Sequence, residues 1–262
     1  MRAPDPLSTA LSAAREGAAA LLEHVHRPLE IEEKGRRADI VTVADRASEH
    51  AVIARLRADF PNAAILAEES GRTTGTSDER WIIDPLDGTT NYAHGYPLYC
   101  VSIAYERAGE VLAGVVYAPA LDECFAAERG SGARLGERSI AVSAIDRVAD
   151  AMVCTGFHPA DFARNAAYFA RASGRAQAVR RDGSAALDLA FVACGRFDGF
   201  WEFDLHAWDV AAGILLVREA GGTITRVDGG PARLDAGSIL ASNGRIHPEL
   251  QGVLAPGDKD AP

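Results

Sequence analysis

The chain has 262 residues, 48% of them hydrophobic and 24% charged, which is enough to bury a large core in one large or two small domains. Its formal net charge of −10 argues against a nucleic-acid backbone or an anionic membrane as the main partner. The four cysteines, Cys100, Cys124, Cys154 and Cys194, are scattered, with no CxxC or Cys/His pairing at zinc spacing.

Four buried, reduced thiols in a reducing compartment are therefore expected. Residues 1–20 are alanine-rich but carry Arg2, Asp5, Arg15 and Glu16, and lack the unbroken apolar core of a signal peptide. No run approaches the roughly 18 apolar residues of a membrane span. A soluble, cytoplasmic protein without a membrane partner is expected.

In chain order, apolar residues at 7, 11, 14, 18, 21, 22 and 25 follow a helical period. Residues 39–45 are apolar and β-branched between two acids, and read as a strand leading into a helix over 45–59. Pro61-Asn62 stops that helix. Residues 63–67 form a short strand ending in Glu68-Glu69, and the polar stretch 71–79 reads as a loop. Trp81-Ile82-Ile83 is a short buried strand that delivers Asp84 and Asp87, followed by Gly88-Thr89-Thr90 as a helix start. Residues 100–106, 111–118 and 125–128 make an antiparallel meander, and the glycine-rich stretch 130–136 follows as a turn.

Beyond it, strands at 152–155, 178–180, 197–202, 223–227 and 238–242 alternate with helices at 162–172, 184–194, 207–220 and from 247. Such alternation predicts a layered α/β core. Residues 1–255 are expected to form a single domain of two subdomains divided near residue 150, with 256–262 a disordered tail.

Two acids delivered by an apolar strand into a helix start are an expensive arrangement, because buried carboxylates are costly unless paired or metal-bound. Free N–H groups at a helix start suit a phosphate. Glu68 ends a strand as Asp84 does, Asp45 stands at a strand–helix junction, and Asp209 heads the apolar helix that begins near Trp208. Singly, each reads as a helix cap or a surface acid. Together they point to a shared all-oxygen cation site facing a phosphate, which selects magnesium, manganese or calcium over zinc.

Glu68-Glu69, the run Trp81-Ile82-Ile83-Asp84-Pro85-Leu86-Asp87-Gly88-Thr89-Thr90-Asn91 and Trp208-Asp209-Val210-Ala211-Ala212-Gly213 closely resemble the signatures of the inositol monophosphatase family. Lys34, Asp39-Ile40-Val41-Thr42-Val43-Ala44-Asp45, Gly183-Ser184-Ala185-Ala186, Phe200-Trp201-Glu202 and Glu219-Ala220-Gly221-Gly222 extend the resemblance in family order, over about residues 7–254.

The resemblance implies an α-β-α-β-α sandwich, usually a homodimer, that hydrolyses a small phosphate monoester with magnesium and is inhibited by lithium. By the same resemblance, Glu68, Asp84 and the carbonyl of Leu86 hold one ion, and Asp84, Asp87 and Asp209 a second. A weaker third sits by Glu68. Glu68 and Thr89 orient a water or take its proton, with Asp45 behind Thr89. Gly88 and Thr89 donate to the phosphate. Asp87, Asp209, Glu202 and the Gly183, Ser184 and Ala185 backbone meet the substrate. Lys34 is a further candidate at the phosphate-side water or metal region; His206 and His94 are candidate acid–base groups that read rather as packing or hydrogen bonding.

Inositol monophosphate is the expected substrate. Histidinol phosphate is the first alternative, then fructose 1,6-bisphosphate or 3′-phosphoadenosine 5′-phosphate, for which Arg180 and Arg181 are a candidate basic patch. A catalytically inactive binding relative is the non-enzyme alternative. No nucleic-acid partner is expected.

Overall fold

The structure is a computed structural model and describes residues 4–25, 31–33, 40–235 and 237–255. Lys34 and the expected tail at 256–262 lie outside the described residues.

Two long helices open the chain: α1 (Pro6–His24), capped by the Asp5 carboxylate, which accepts from the Ser8 N–H at 3.0 Å, and α2 (Val43–Asp59). Between them β1 (Ile31–Glu33) and β2 (Ile40–Thr42) pair antiparallel. The first large sheet contains β3 (Ala64–Ala67), β4 (Gly71–Thr73), β5 (Glu79–Asp87), β6 (Cys100–Arg107), β7 (Glu110–Ala118), β8 (Glu123–Glu128), β9 (Gly132–Leu135) and β10 (Arg138–Ile140). Its order is β10-β9-β8-β7-β6-β5-β3-β4, with β3 parallel to β5 and every other pair antiparallel. A single turn of helix, α3 (Thr89–Ala93), follows β5.

The second sheet is built from β11 (Met152–Thr155), β12 (Ala178–Arg180), β13 (Gly199–Leu205), β14 (Thr223–Thr225) and β15 (Gly237–Ser242), in the order β12-β11-β13-β15-β14. Its helices are α4 (Phe162–Ser173), α5 (Ala185–Ala193), α6 (Ala207–Glu219) and α7 (His247–Leu254).

Three cores stack these elements into the five expected layers. On one face of the first sheet, Trp81, Ile83 and Leu86 of β5 pack against α1 and α2. Phe60 and Tyr105 enclose Trp81, with ring centroids 5.3 and 4.9 Å away, and so pin the strand that carries the acids. On the other face, Ile82 joins α5, α6 and the inner face of the second sheet. All nine residues of α5 are buried, which is why that helix is apolar on every side. The outer face of the second sheet is covered by α4 and α7 through Ala172, Leu250 and Leu254.

Several local expectations need correction. Residues 39–45 are not one strand: Thr42 caps α2 and the helix begins at Val43, because the Thr42–Asp45 capping box satisfies the first turn. The loop 71–79 contains β4, and the glycine-rich stretch 130–136 contains β9, each paired to a neighbour too short to show alternation. The strand expected at 197–202 runs on to Leu205. Cys100 and Cys154 are buried, whereas Cys124 and Cys194 are partly exposed.

His247, at the start of α7, lies between the Thr225 hydroxyl (3.0 Å from Nε2) and the Ser242 hydroxyl (2.9 Å from Nδ1), and burial lowers its pKa. Below its ordinary value of 6.5 the unfolded chain takes up this proton more readily than the folded one, so the stability it contributes is complete above that pH and lost below it. His247→Gln should flatten the pH dependence of thermal stability below pH 6.5, by at most about 1.4 kcal/mol per pH unit. An unchanged slope would remove His247 from the acid limb.

Candidate active site

Residues three apart on a regular strand point to opposite faces, so Asp84 and Asp87 ought to diverge. They do not, because the β5–β6 register breaks between them: Asp84 pairs with Ser102 and Asp87 with Cys100, which puts three steps on one strand against two on the other. The extra residue is a β-bulge, and Pro85, which has no N–H to give a ladder, is tolerated there. The Ser48 hydroxyl of α2 donates to the Pro85 carbonyl at 2.8 Å and holds the kink. Both acids therefore end on the side of the sheet that faces α5 and α6. Leu86 turns into the opposite core.

Asp84 is 1% exposed, and one carboxylate oxygen accepts the Leu86 N–H at 3.0 Å. Glu68 follows β3, its N–H donating to the Ile83 carbonyl at 3.2 Å, which brings it beside Asp84. Burial pushes the Asp84 acid well above the usual carboxylate range, and the negative charges of Glu68, Asp87 and Asp209 push it the same way. Asp87 is raised to about 7 by burial and by Asp209. The Ser184 hydroxyl (2.8 Å) and the Ala186 N–H (2.7 Å), both on Oδ2, partly offset this. Ser184 and Ala186 belong to the start of α5, so one end of that helix positions Asp87. Asp209 lies in the first turn of α6, and its Oδ2 accepts the His206 N–H at 2.6 Å. Among the described residues no cationic side chain is a main influence on Asp84 or Asp87. Four acids that repel one another, offering only oxygen, fit divalent cations of the hard class.

Asp45 has two roles at once. Its Oδ2 accepts from the Thr42 N–H (2.8 Å) and hydroxyl (2.6 Å) to cap α2, while its Oδ1 faces the Thr89 hydroxyl at 3.1 Å. That hydroxyl also lies 3.0 Å from the Leu86 carbonyl. A hydroxyl has one proton and two lone pairs, so Thr89 gives its proton to one of these acceptors and keeps acceptor capacity for a water. Gly88 has φ 90°, and a Cβ there would lie 2.9 Å from the Leu98 carbonyl.

Glu202 lies mid-strand on β13 rather than at a strand end, which corrects the sequence expectation. Burial and then the charges of Asp209 and Asp87 raise its acid well above the ordinary value, and Arg181 acts in the other direction. Gly156 makes room for it: a Cβ at that position would stand 2.2 Å from a Glu202 carboxylate oxygen. Only contact between distant strands shows this, and a lone glycine after β11 carries no such signal. Of Gly183, Ser184 and Ala185, Ser184 reaches Asp87 with its hydroxyl, and a Cβ at Gly183 would meet the Asn91 side chain. His206 is exposed and stacks on Trp208, with centroids 4.7 Å apart, and His94 is exposed beyond α3. Arg181 does not form a free basic patch with Arg180: it donates to the Phe157 carbonyl at 2.7 Å and lies over that ring.

Among the described residues no helix is long and apolar enough to cross a membrane. The sequence model of the inositol monophosphatase family matches residues 4–256. An inositol-1-monophosphatase of Mesorhizobium japonicum is 48% identical over 215 residues, covering 78% of this chain and 79% of its own. The crystal structure of the extragenic suppressor protein suhB from Bartonella henselae superposes with a TM-score of 0.92 at 42% identity, covering 95% and 98% of the two chains. The inositol monophosphatase from Anabaena gives 0.85 at 43% identity, over 95% and 94%. With that match spanning both sheets and all the acids above, the chain belongs to the inositol monophosphatase family and is a phosphatase.

Proposed function

We propose that the protein hydrolyses inositol monophosphate to inositol and phosphate with magnesium, by direct attack of water and without a covalent intermediate. The observation that carries this reading is the bulge that turns Asp84 and Asp87 to one side, beside Glu68 and Asp209. Glu68, Asp84 and the Leu86 carbonyl hold one ion, and Asp84, Asp87 and Asp209 a second, with a weaker third near Glu68. Bound magnesium supplies the positive charge that offsets the phosphoryl and leaving oxygens and makes a water more acidic.

The chain's own groups do the rest. Thr89 accepts a hydrogen bond from the attacking water and passes its own proton toward Asp45, while Glu68 takes the water's proton or orients it. The Gly88 and Thr89 N–H groups donate to phosphate oxygens. Asp87, held by Ser184 and Ala186, meets the substrate hydroxyls together with Asp209, Glu202 and the Gly183–Ala185 backbone. Placing Lys34 near the phosphate belongs to the same reading, as do lithium inhibition, a homodimer and a cytoplasmic setting.

The test is phosphate release, with magnesium and after chelation, from inositol, histidinol, fructose 1,6- and nucleotide phosphates. Inositol monophosphate should show the highest kcat/KM, with activity only when magnesium is present. A higher kcat/KM for histidinol phosphate would replace the substrate assignment, and release that survives chelation would end the metal assignment.

A further inference from the structure

One group of ligating side chains is not used by this chemistry. Cys154 on β11, Asp182 in the loop after β12 and Asp188 in α5 each offer a ligand atom, and the three atoms lie within 4.8 Å of one another. Cys154 is 0% and Asp188 1% exposed, and Asp182 is partly exposed. Both carboxylate oxygens of Asp188 are buried without a hydrogen-bond partner. A carboxyl group so placed normally has partners, and each one left bare is costly. Burial and the charge of Asp182 push the Asp188 acid well above its ordinary value, while the neighbouring Cys154 thiol acts the other way.

We propose that Cys154, Asp182 and Asp188 form a second cation site, for a thiophilic divalent ion of the zinc class, separate from the oxygen-only acids around Asp84. Zinc takes cysteine sulfur at about 2.3 Å and carboxylate oxygen at about 2.0 Å, whereas magnesium demands an octahedron of oxygens and has little use for a thiolate. Ligands of a tetrahedral zinc stand about 3.5 Å apart, so the trio contracts by at most about 1.3 Å from the separation described. Asp182 gives the entry path and leaves a place for water as fourth ligand.

Binding breaks the thiol S–H bond, forms a metal–sulfur bond and releases the proton to solvent, with no change of oxidation state. The carbonyl of Asp182 accepts from the Asn91 side chain at 2.7 Å, and two residues on Ser184 donates to Asp87. An ion at this site therefore braces the loop that orients Asp87.

The experiment is a cobalt(II) titration of the chelator-stripped full chain, followed by thiolate-to-cobalt charge-transfer absorption in the near ultraviolet. The band should appear at one equivalent in the wild type and in Asp84→Asn, vanish in Cys154→Ser, and need at least about tenfold more cobalt in Asp188→Asn. Zinc should displace it, and excess magnesium should not. No band in the wild type, or a band that persists in Cys154→Ser, would overturn the site. If Cys154→Ser does not fold, X-ray absorption of the zinc-loaded wild type decides: one zinc–sulfur distance near about 2.3 Å supports the proposal, and an all-oxygen or nitrogen shell refutes it.

Discussion

Asp84→Asn lowers magnesium-dependent phosphate release by about three orders of magnitude and leaves the fold in place. Asparagine has the same shape, and its side-chain oxygen still accepts the Leu86 N–H that Asp84 accepts at 3.0 Å. What is lost is the charge that both proposed ions share. The same change should raise the thermal midpoint of the metal-free chain. Burial and the charges of Glu68, Asp87 and Asp209 hold the Asp84 acid well above its ordinary value, so folding the metal-free chain at neutral pH forces a proton onto it, a cost that an amide does not carry. Magnesium should accordingly stabilise the wild type far more than the variant. Kinetics and thermal melts with and without magnesium test both halves. A variant that keeps most of its turnover would show that Asp84 is not a shared ligand.

Gly88→Ala should cost about 2–5 kcal/mol of stability. A left-handed backbone costs an alanine about 1–2 kcal/mol, and forcing a Cβ into packed atoms a further ~1–3 kcal/mol. Here that Cβ would stand 2.9 Å from the Leu98 carbonyl and 3.3 Å from the Tyr99 Cα, both of them backbone atoms that cannot rotate away. For a chain of this size the midpoint falls by roughly 4–10 °C. Turnover falls as well, because relieving the contact displaces Thr89 from Asp45 and the Leu86 carbonyl. A midpoint and a rate both unchanged would mean that the turn adapts freely.

The identities of the acids were legible because they sit at abrupt changes of pattern, where an apolar run stops at a carboxylate. Their geometry was not. Asp84 and Asp87 have the wrong spacing to share a face, and the bulge that corrects it is a property of β5 paired with β6, which no single stretch contains. Asp45 posed a choice between a helix cap and a site residue. The structure gives it both roles, one with each carboxylate oxygen. Helix α1 is legible from its apolar period, and α5 and α6 from continuous apolar runs. Strands β4 and β9 were not, since three or four residues cannot display alternation and their pairing comes from neighbours. Partial exposure of Cys124 and Cys194 likewise depends on packing between separate elements, although each has apolar neighbours in sequence. Gly156 makes the same point for the site: its lack of a side chain matters only because Glu202 arrives from another strand.

The hydrogen bond from Ser184 to Asp87 spans 97 residues of chain, and this has a consequence for biosynthesis. The helices, strand and bulge that present Asp87 leave the ribosome first, while the groups that satisfy its carboxylate are still unmade. At about 5–20 residues per second, the wait lasts roughly 5–20 s. Throughout that interval Asp87 lacks the Ser184 hydroxyl and Ala186 N–H that it later accepts from, so protons or free cations are the first to neutralise it.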